Sequence, residues 1–466
     1  MIRFGTSGWR AIIADQFTDE NVRVCVHAIA NVVARGDRAD RQVVIGNDTR
    51  FMSERFVHLA GALLAGRGIA SEMCDRPTPT PVIAFTVRKR EAAGAINFTA
   101  SHNPPEYLGL KFSSSDGAPA LPEVTREIED EIRQIIESGA PAASGSPAPS
   151  VDIDPSADYL ADLATKVNFG VIASSGLRIA YDPLWGTGRG YLDRALTDHG
   201  VAVTTLHNWR DVYFGGRSPE PNETNSAELI AAVRSGEFDL GLATDGDGDR
   251  FGIIDRDGTF VAANDVLAVL VDYLIESRAW EGDVARSVAT SHFVDRVAAK
   301  HGRKVIETPV GFKYIGELIN ENRIILGGEE SAGLSIRGHV PEKDGILACL
   351  LVAEAVAKRG TSVAEMLASL RSELGTLLNR RIGVRLSEEQ TAKLRERLQS
   401  EDPSEIGGRR VERVDRTDGA KFLLDHDAWV LMRPSGTEPL VRIYAEARTE
   451  DELEVLLESG REFVSR

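Results

Sequence analysis

The sequence predicts a soluble α/β protein of several domains, and three observations predict it. Short apolar runs alternate with stretches of helical periodicity along most of the chain. The length is 466 residues, which at about 150 residues per domain gives three domains or four small ones. Hydrophobic residues make up 42% and charged residues 27%, the balance of a globular protein whose domains each bury a core.

The elements follow in order. Val22, Cys25, Val26, Ile29, Val32 and Val33 share one helical face, and Thr18 ahead of Asp19 and Glu20 has the character of a helix start. Val43 to Ile45 reads as a short buried strand and Ser53 to Gly68 as a helix stopped by glycine. Gly94 to Ala100 reads as a strand running into a loop, because Pro104-Pro105 cannot continue it. Ser138 to Ser150 is rich in Ala, Ser, Pro and Gly and is expected to be a surface linker near a first domain boundary, or else a long loop within one domain. A second unit has a strand at Leu177 to Tyr181, a tight turn from Asp182 to Gly188 into a helix, and strands Phe238 to Ala243 and Phe251 to Ile254 around an acidic loop. A third has strands Lys304 to Glu307 and Ile324 to Leu326 and a helix from Asp344 to Arg359. The last segment mixes helices (Ser387 to Ser400, Glu450 to Phe463) with strands (Ala428 to Met432, Leu440 to Ala447). The expected domains are 1–150, 151–256, 257–371 and 372–466. The similar spacing of the first three suggests a structural repeat, although no convincing identity links them.

A net charge of −17 argues against general affinity for nucleic acid or an anionic membrane, so an anionic substrate would need a local basic site. Cys25, Cys74 and Cys349 lie far apart with no CxxC. That pattern excludes a disulfide framework, does not suggest zinc, and predicts a reducing, cytoplasmic setting. Met1 to Phe17 has no apolar signal core. The richest apolar run, Ile346 to Ala357, is too short to span a bilayer and contains Glu354.

Five segments carry chemistry. In Thr99-Ala100-Ser101-His102-Asn103-Pro104, a serine at the end of a buried strand suits a nucleophile or phosphate carrier, with His102 and Lys111 as donors to a phosphoryl group. Read alone, it is more often a turn serine. Asp245-Gly246-Asp247-Gly248-Asp249-Arg250 sets three carboxylates at spacing two, able to converge on one hard cation such as Mg²⁺. An EF-hand is excluded because Arg250 and Arg256 stand where it needs Gly and Glu, while a solvated acidic turn is the plain alternative. Gly327-Gly328-Glu329-Glu330-Ser331-Ala332-Gly333 suits recognition of sugar hydroxyls, or is a charged turn; Lys343 downstream is a possible proton-transfer residue or a surface lysine. Arg433-Pro434-Ser435-Gly436-Thr437-Glu438-Pro439 with Arg442 makes an anion cradle, or a turn between strands. Phe4-Gly5-Thr6-Ser7-Gly8-Trp9-Arg10 is a surface loop or brings Arg10 to a phosphate.

In this order and at these distances, the five segments resemble the α-D-phosphohexomutase superfamily, over nearly the whole chain. Gly46-Asn47-Asp48-Thr49-Arg50, Phe214-Gly215-Gly216 with Pro219-Glu220-Pro221, and Thr308-Pro309-Val310-Gly311-Phe312-Lys313 add to the likeness, and the sugar loop with its later EKDG is most similar to phosphoglucomutases. The resemblance implies three α/β/α domains with mixed sheets plus a smaller C-terminal α+β domain around a central cleft. It implies a mutase acting on glucose 1-phosphate and glucose 6-phosphate through a phosphoserine at Ser101 and a glucose 1,6-bisphosphate intermediate. Mg²⁺ would sit on Ser101, Asp245, Asp247 and Asp249. Arg10, Lys111, Lys343 and His102 would serve catalysis, and Arg250, Lys313, Glu329, Ser331, Arg433, Ser435, Gly436, Thr437 and Arg442 would bind the sugar phosphate. Phosphomannomutase or dual activity is the near alternative, phosphoglucosamine mutase a further one, and a phosphatase or a silent binding protein on this fold complete the set. Two departures stand out. The serine loop continues with Leu108-Gly109 where the family commonly has Asn-Gly, and Gly333 stands where some members carry a histidine, which shifts acid/base candidacy to Lys343, Lys111 and Arg10.

Overall fold

The computed structural model describes residues 2–5, 8–139, 148–435 and 440–466, which form four sheets in chain order. The first holds β1 (Trp9–Ile12), β2 (Val43–Asn47), β3 (Ser71–Cys74), β4 (Gly94–Phe98), β5 (Tyr107–Ser113) and β6 (Ser150–Ile153), in the order β1-β5-β4-β2-β3-β6. β2, β3, β4 and β6 run parallel, while β5 is antiparallel to both β4 and β1. Both faces of a parallel strand are covered, so β2 and β4 are buried along their length. The helix Asp19–Val33 buries Val22, Cys25, Val26, Ile29 and Val33 against this sheet, and Thr18 caps it by accepting from the Asn21 N–H.

The second sheet holds β7 (Arg178–Asp182), β8 (Ala202–Thr205), β9 (Leu240–Thr244), β10 (Phe251–Ile254) and β11 (Phe260–Val261), ordered β11-β10-β9-β7-β8. The third holds β12 (Asp283–Ser287), β13 (Val305–Thr308), β14 (Ile324–Glu329) and β15 (Gly333–Ile336), ordered β13-β12-β14-β15. The fourth is antiparallel throughout: β16 (Leu378–Arg385), β17 (Glu405–Ile406), β18 (Arg409–Asp415), β19 (Ala420–Leu424), β20 (Trp429–Pro434) and β21 (Leu440–Ala447), ordered β16-β21-β20-β19-β18-β17. Helices Glu388–Ser400 and Glu450–Ser465 belong to this last unit.

The repeat lies in topology. Each of the first three sheets has a parallel core that ends in an antiparallel hairpin: β4–β5, β9–β10 and β14–β15. The serine, acidic and sugar-loop segments are the turns of these three hairpins, at the end of a buried strand where α/β sheets place their ligands. The arginine segment joins the antiparallel pair β20–β21, with its residues 436–439 outside the described set.

Three pieces of structure lie at or near the expected boundaries. β6, which begins at the end of the Ala/Ser/Pro/Gly segment, pairs with β3 of the first sheet; residues 140–147 of that segment lie outside the described set. β11 pairs with β10 beyond residue 256, and helix Val363–Leu374 runs through residue 371. Helix Gly345–Arg359 holds the rich apolar run and is buried from Gly345 to Val356, between the second and third units, whose side chains form one continuous core. Its Glu354 is neutralised by Arg278 and accepts from the Tyr273 hydroxyl. Among the described residues, no helix is long and apolar enough to cross a membrane.

Candidate active site

β4 carries Ser101 to the edge of its sheet, 1% exposed and with φ +50°. Its Oγ donates to Asp245 Oδ2 at 2.7 Å, and His102 Nδ1 lies 3.3 Å from the same oxygen. Burial, then the charges of Arg250 and Arg10, holds the His102 pKa well below the usual imidazole range, so this ring is neutral. β1 lies beside β5 with Arg10 opposite Gly109, and an Arg10 Nη1 N–H reaches Asn103 Oδ1 at 2.6 Å. Leu108 fills the first core, and Gly109 is required, since a Cβ there would stand 2.5 Å from Thr99 O and 2.7 Å from Trp9 O.

Asp245, Asp247 and Asp249 are all fully buried, with one oxygen of each within 4.8 Å of the others. Lys111 Nζ donates to Asp247 Oδ2 at 2.7 Å and to Asp249 Oδ2 at 3.2 Å. Lys343 Nζ lies 2.8 Å from Asp249 Oδ2. Burial, reinforced by Asp247 and Asp249, pushes Asp245 well above the carboxylate range. Burial alone would lower Lys111, but Asp247 and Asp249 overcome it and hold the ammonium protonated. Asp247 Oδ1 and Asp249 Oδ1 are buried and meet no hydrogen-bond donor among the described residues. Two orphaned carboxylate oxygens beside a third acid that burial resists ionising fit a hard divalent cation, with Ser101 Oγ at the rim. The glycines between the acids are needed: a Cβ on Gly246 would stand 2.7 Å from Ser101 O, and Gly248 has φ +73°.

The third hairpin brings Glu329 to the same region. Glu329 is 4% exposed, its Oε1 accepts from the Gly311 N–H at 2.7 Å, and burial followed by Glu330 raises its pKa to about 7. Ser331 lines a cavity together with Glu220, Arg250, Glu330 and Arg381. Lys313 is the second residue of the helix Phe312–Asn320, which follows Gly311. The space beside Gly333 is filled by Lys343, whose Cδ lies 2.2 Å from where a Cβ would be. The glycine therefore lets Lys343 pass over the sugar loop to Asp249.

Arg433 and Arg442 face one another across β20–β21, and two like charges so placed favour an anion between them. Arg433 Nε donates to Asp418 Oδ2, which also accepts from Val310 N–H beside the sugar loop. Ser435 N–H bonds Leu440 O. Gly436 and Thr437, like Thr6 and Ser7, lie outside the described residues. One supporting residue escaped the sequence reading: Thr80 grips Asp247 twice, from its N–H to the carbonyl and from its Oγ1 to Oδ2 at 2.7 Å. Nothing in the threonine's own surroundings signals a partner so distant along the chain.

A strained serine against a caged acid triad, with lysines and arginines closing on it, is an arrangement suited to phosphoryl transfer. The chain matches "Phosphoglucomutase/phosphomannomutase, alpha/beta/alpha domain I" over residues 1–138, domain II over 157–258, domain III over 262–374 and the C-terminal domain over 382–461. It is 31% identical to the phosphoglucomutase/phosphomannomutase of Thermococcus kodakarensis, over 98% of this chain and 97% of that protein. It is 32% identical, over 99% and 97%, to a protein of Methanothermobacter thermautotrophicus named "Probable phosphoglucosamine mutase". A crystal structure from Thermus thermophilus, named provisionally as a phosphomannomutase, superposes with a TM-score of 0.86 at 32% identity, covering 100% of this chain and 99% of that one. The chain belongs to the phosphoglucomutase/phosphomannomutase family of the α-D-phosphohexomutase superfamily. It is a phosphohexomutase, an intramolecular phosphotransferase.

Proposed function

We propose that this phosphohexomutase interconverts glucose 1-phosphate and glucose 6-phosphate, with mannose phosphates as weaker substrates, and that Ser101 is its phosphoryl carrier. The observation that supports this most is the Ser101 Oγ contact with Asp245 at the rim of the carboxylate cage. Asp245, Asp247 and Asp249 would hold Mg²⁺, which when bound supplies charge neutralisation and polarises phosphoryl oxygens. Lys111 and Lys343 add fixed positive charge on the same side.

In the first transfer the Ser101 Oγ–P bond breaks and Oγ takes up a proton, while a bond forms between phosphorus and the free hydroxyl oxygen of the sugar, whose proton leaves to a base. The product is a hexose 1,6-bisphosphate. After it turns over in the cleft, Ser101 Oγ loses its proton to a base and bonds the other phosphorus, the sugar O–P bond breaks, and the sugar oxygen left behind is protonated. One carrier and one distal anion cradle thus serve both isomers, with Arg433, Ser435, Gly436, Thr437 and Arg442 as the cradle. Glu329 and Ser331 accept and donate to sugar hydroxyls. Arg10 and His102 serve the reacting group, and Arg250 and Lys313 bind the sugar phosphate.

The contacts of Glu329 and Ser331 fall on hydroxyls that glucose and mannose share. Discrimination then rests on one hydrogen bond at the 2-position, about 0.5–1.5 kcal/mol, or roughly two- to thirteen-fold. Comparing kcat/KM on glucose, mannose and glucosamine 1-phosphates with a bisphosphate activator tests the assignment. The expected order has glucose first and mannose within about an order of magnitude. A maximum on glucosamine 1-phosphate would place the enzyme with the amino-sugar mutases.

A further inference from the structure

We propose that Arg50 is the positioning residue of the phosphoryl carrier, fixing the backbone of Ser101 so that its Oγ faces the carboxylate cage; this rests on Ser101 being the carrier.

The Arg50 side chain is fully buried and every N–H of its guanidinium is used. Nε donates to Asp48 Oδ2 at 3.0 Å. Nη1 donates to Pro104 O and Tyr107 O at 2.7 and 2.9 Å, and Nη2 to Ser101 O and Asn103 O at 2.7 and 2.6 Å. Four carbonyls of the serine loop therefore point at one cation. Without it the four would repel, and the buried Ser101 carbonyl would lose this donor, while Pro104 O would keep the Tyr107 N–H. A planar fork of five donors fits such a ring of acceptors, and a three-donor ammonium does not.

The other end of Ser101 is held by the same pair. Asp48 Oδ2 accepts from Thr99 Oγ1 at 2.6 Å, and Thr99 Oγ1 accepts from Ser101 N–H at 2.9 Å. Both peptide groups of Ser101 are thus pinned by Asp48 and Arg50, which is how a residue other than glycine stays at φ +50°. The carbonyl that Arg50 holds is also the atom against which Gly246 of the acidic loop packs. The clamp is seated on the second unit: the Phe214 ring centroid lies 5.0 Å from the guanidinium carbon, Thr49 Oγ1 donates to Trp185 O, and Arg210 donates to the carbonyls of Thr49 and Arg50. Arg50 donates to none of the side chains assigned to the sugar or its distal phosphate. Its loss should therefore change transfer and leave sugar-phosphate binding alone.

The test is Arg50→Lys, measured for kcat, KM and Tm, with single-turnover phosphorylation of the protein by glucose 1,6-bisphosphate. A misplacement of about 1 Å costs on the order of a hundred-fold in rate. We expect kcat and the single-turnover rate to fall together by about that factor, with KM unchanged. To separate positioning from a folding defect in the lysine variant, Arg50→Gly is assayed with millimolar guanidinium or ethylammonium. Guanidinium should restore transfer and ethylammonium should not. Parent-like kcat in a folded Arg50→Lys protein would overturn the proposal. So would a loss of kcat that follows the unfolded fraction with no rescue by guanidinium. Ser101→Ala run in parallel separates the two readings: if it still turns over, the carrier assignment fails independently of Arg50.

Discussion

Lys343 reaches Asp249 only because residue 333 has no side chain, and restoring one methyl group measures how closely the lysine must be held. A Cβ at Gly333 would lie 2.2, 2.6 and 3.3 Å from Lys343 Cδ, Cγ and Cβ. Carbon atoms rest at about 3.5–4.0 Å, so Gly333→Ala must displace the lysine stem by more than about 1 Å. The crowded atoms are the stem and not the ammonium tip, so rotation at the end of the chain cannot relieve them. The backbone at Gly333 is outside the left-handed region, and alanine itself fits it without strain. What is lost is the 2.8 Å contact of Lys343 Nζ with Asp249 Oδ2. A charge-assisted bond of this kind contributes about 1.5–3 kcal/mol, so kcat/KM should fall roughly ten- to hundred-fold. The assay is steady-state turnover of glucose 1-phosphate by the parent, Gly333→Ala, Lys343→Ala and the double variant. If the methyl group acts through the lysine, the double variant is no slower than Lys343→Ala. Parent-like kcat/KM in Gly333→Ala, or losses that multiply in the double variant, would refute the reasoning.

Two further outcomes follow from the buried acids. Burial lifts Glu329 from its ordinary 4.5 to about 7, so the folded protein keeps a proton that the unfolded chain releases. The associated stability is fully present below about 4.5 and is lost as pH rises through about 7, by up to about 3 kcal/mol. Urea unfolding across that window should show the decline in the parent and a smaller one in Glu329→Gln; equal declines would contradict it. Glu342, also raised to about 7 by burial, keeps the remainder. Adding Mg²⁺ to chelated protein should restore turnover and raise Tm, because Asp247 Oδ1 and Asp249 Oδ1 gain a partner. Asp247→Asn should lose most of that rise, and activity that survives thorough chelation would exclude the metal.

The acidic loop and the serine loop were legible because their chemistry is contiguous: three acids at spacing two, and a serine between a strand and two prolines. The helix at Thr18 and the strands around the acidic loop were legible from local capping and apolar runs. The supports of the site were not, because they join residues far apart in sequence. Thr80 meets Asp247, and Arg50 meets four carbonyls beyond residue 100. Gly333 was visible only as a missing histidine, since the lysine that fills its place arrives from another loop. The repeat was faint for a related reason: the three hairpins share a connection pattern, while their turns carry different chemistry.

The proposed mechanism turns on Ser101 Oγ as the atom that carries the phosphoryl group. Intact mass of the protein after incubation with glucose 1,6-bisphosphate and Mg²⁺, followed by peptide mapping, tests it directly. One phosphoryl group should appear on Ser101 in the parent, none in Ser101→Ala, and the variant should not turn over; a phosphoryl group mapped to another residue, or turnover by the variant, would contradict it.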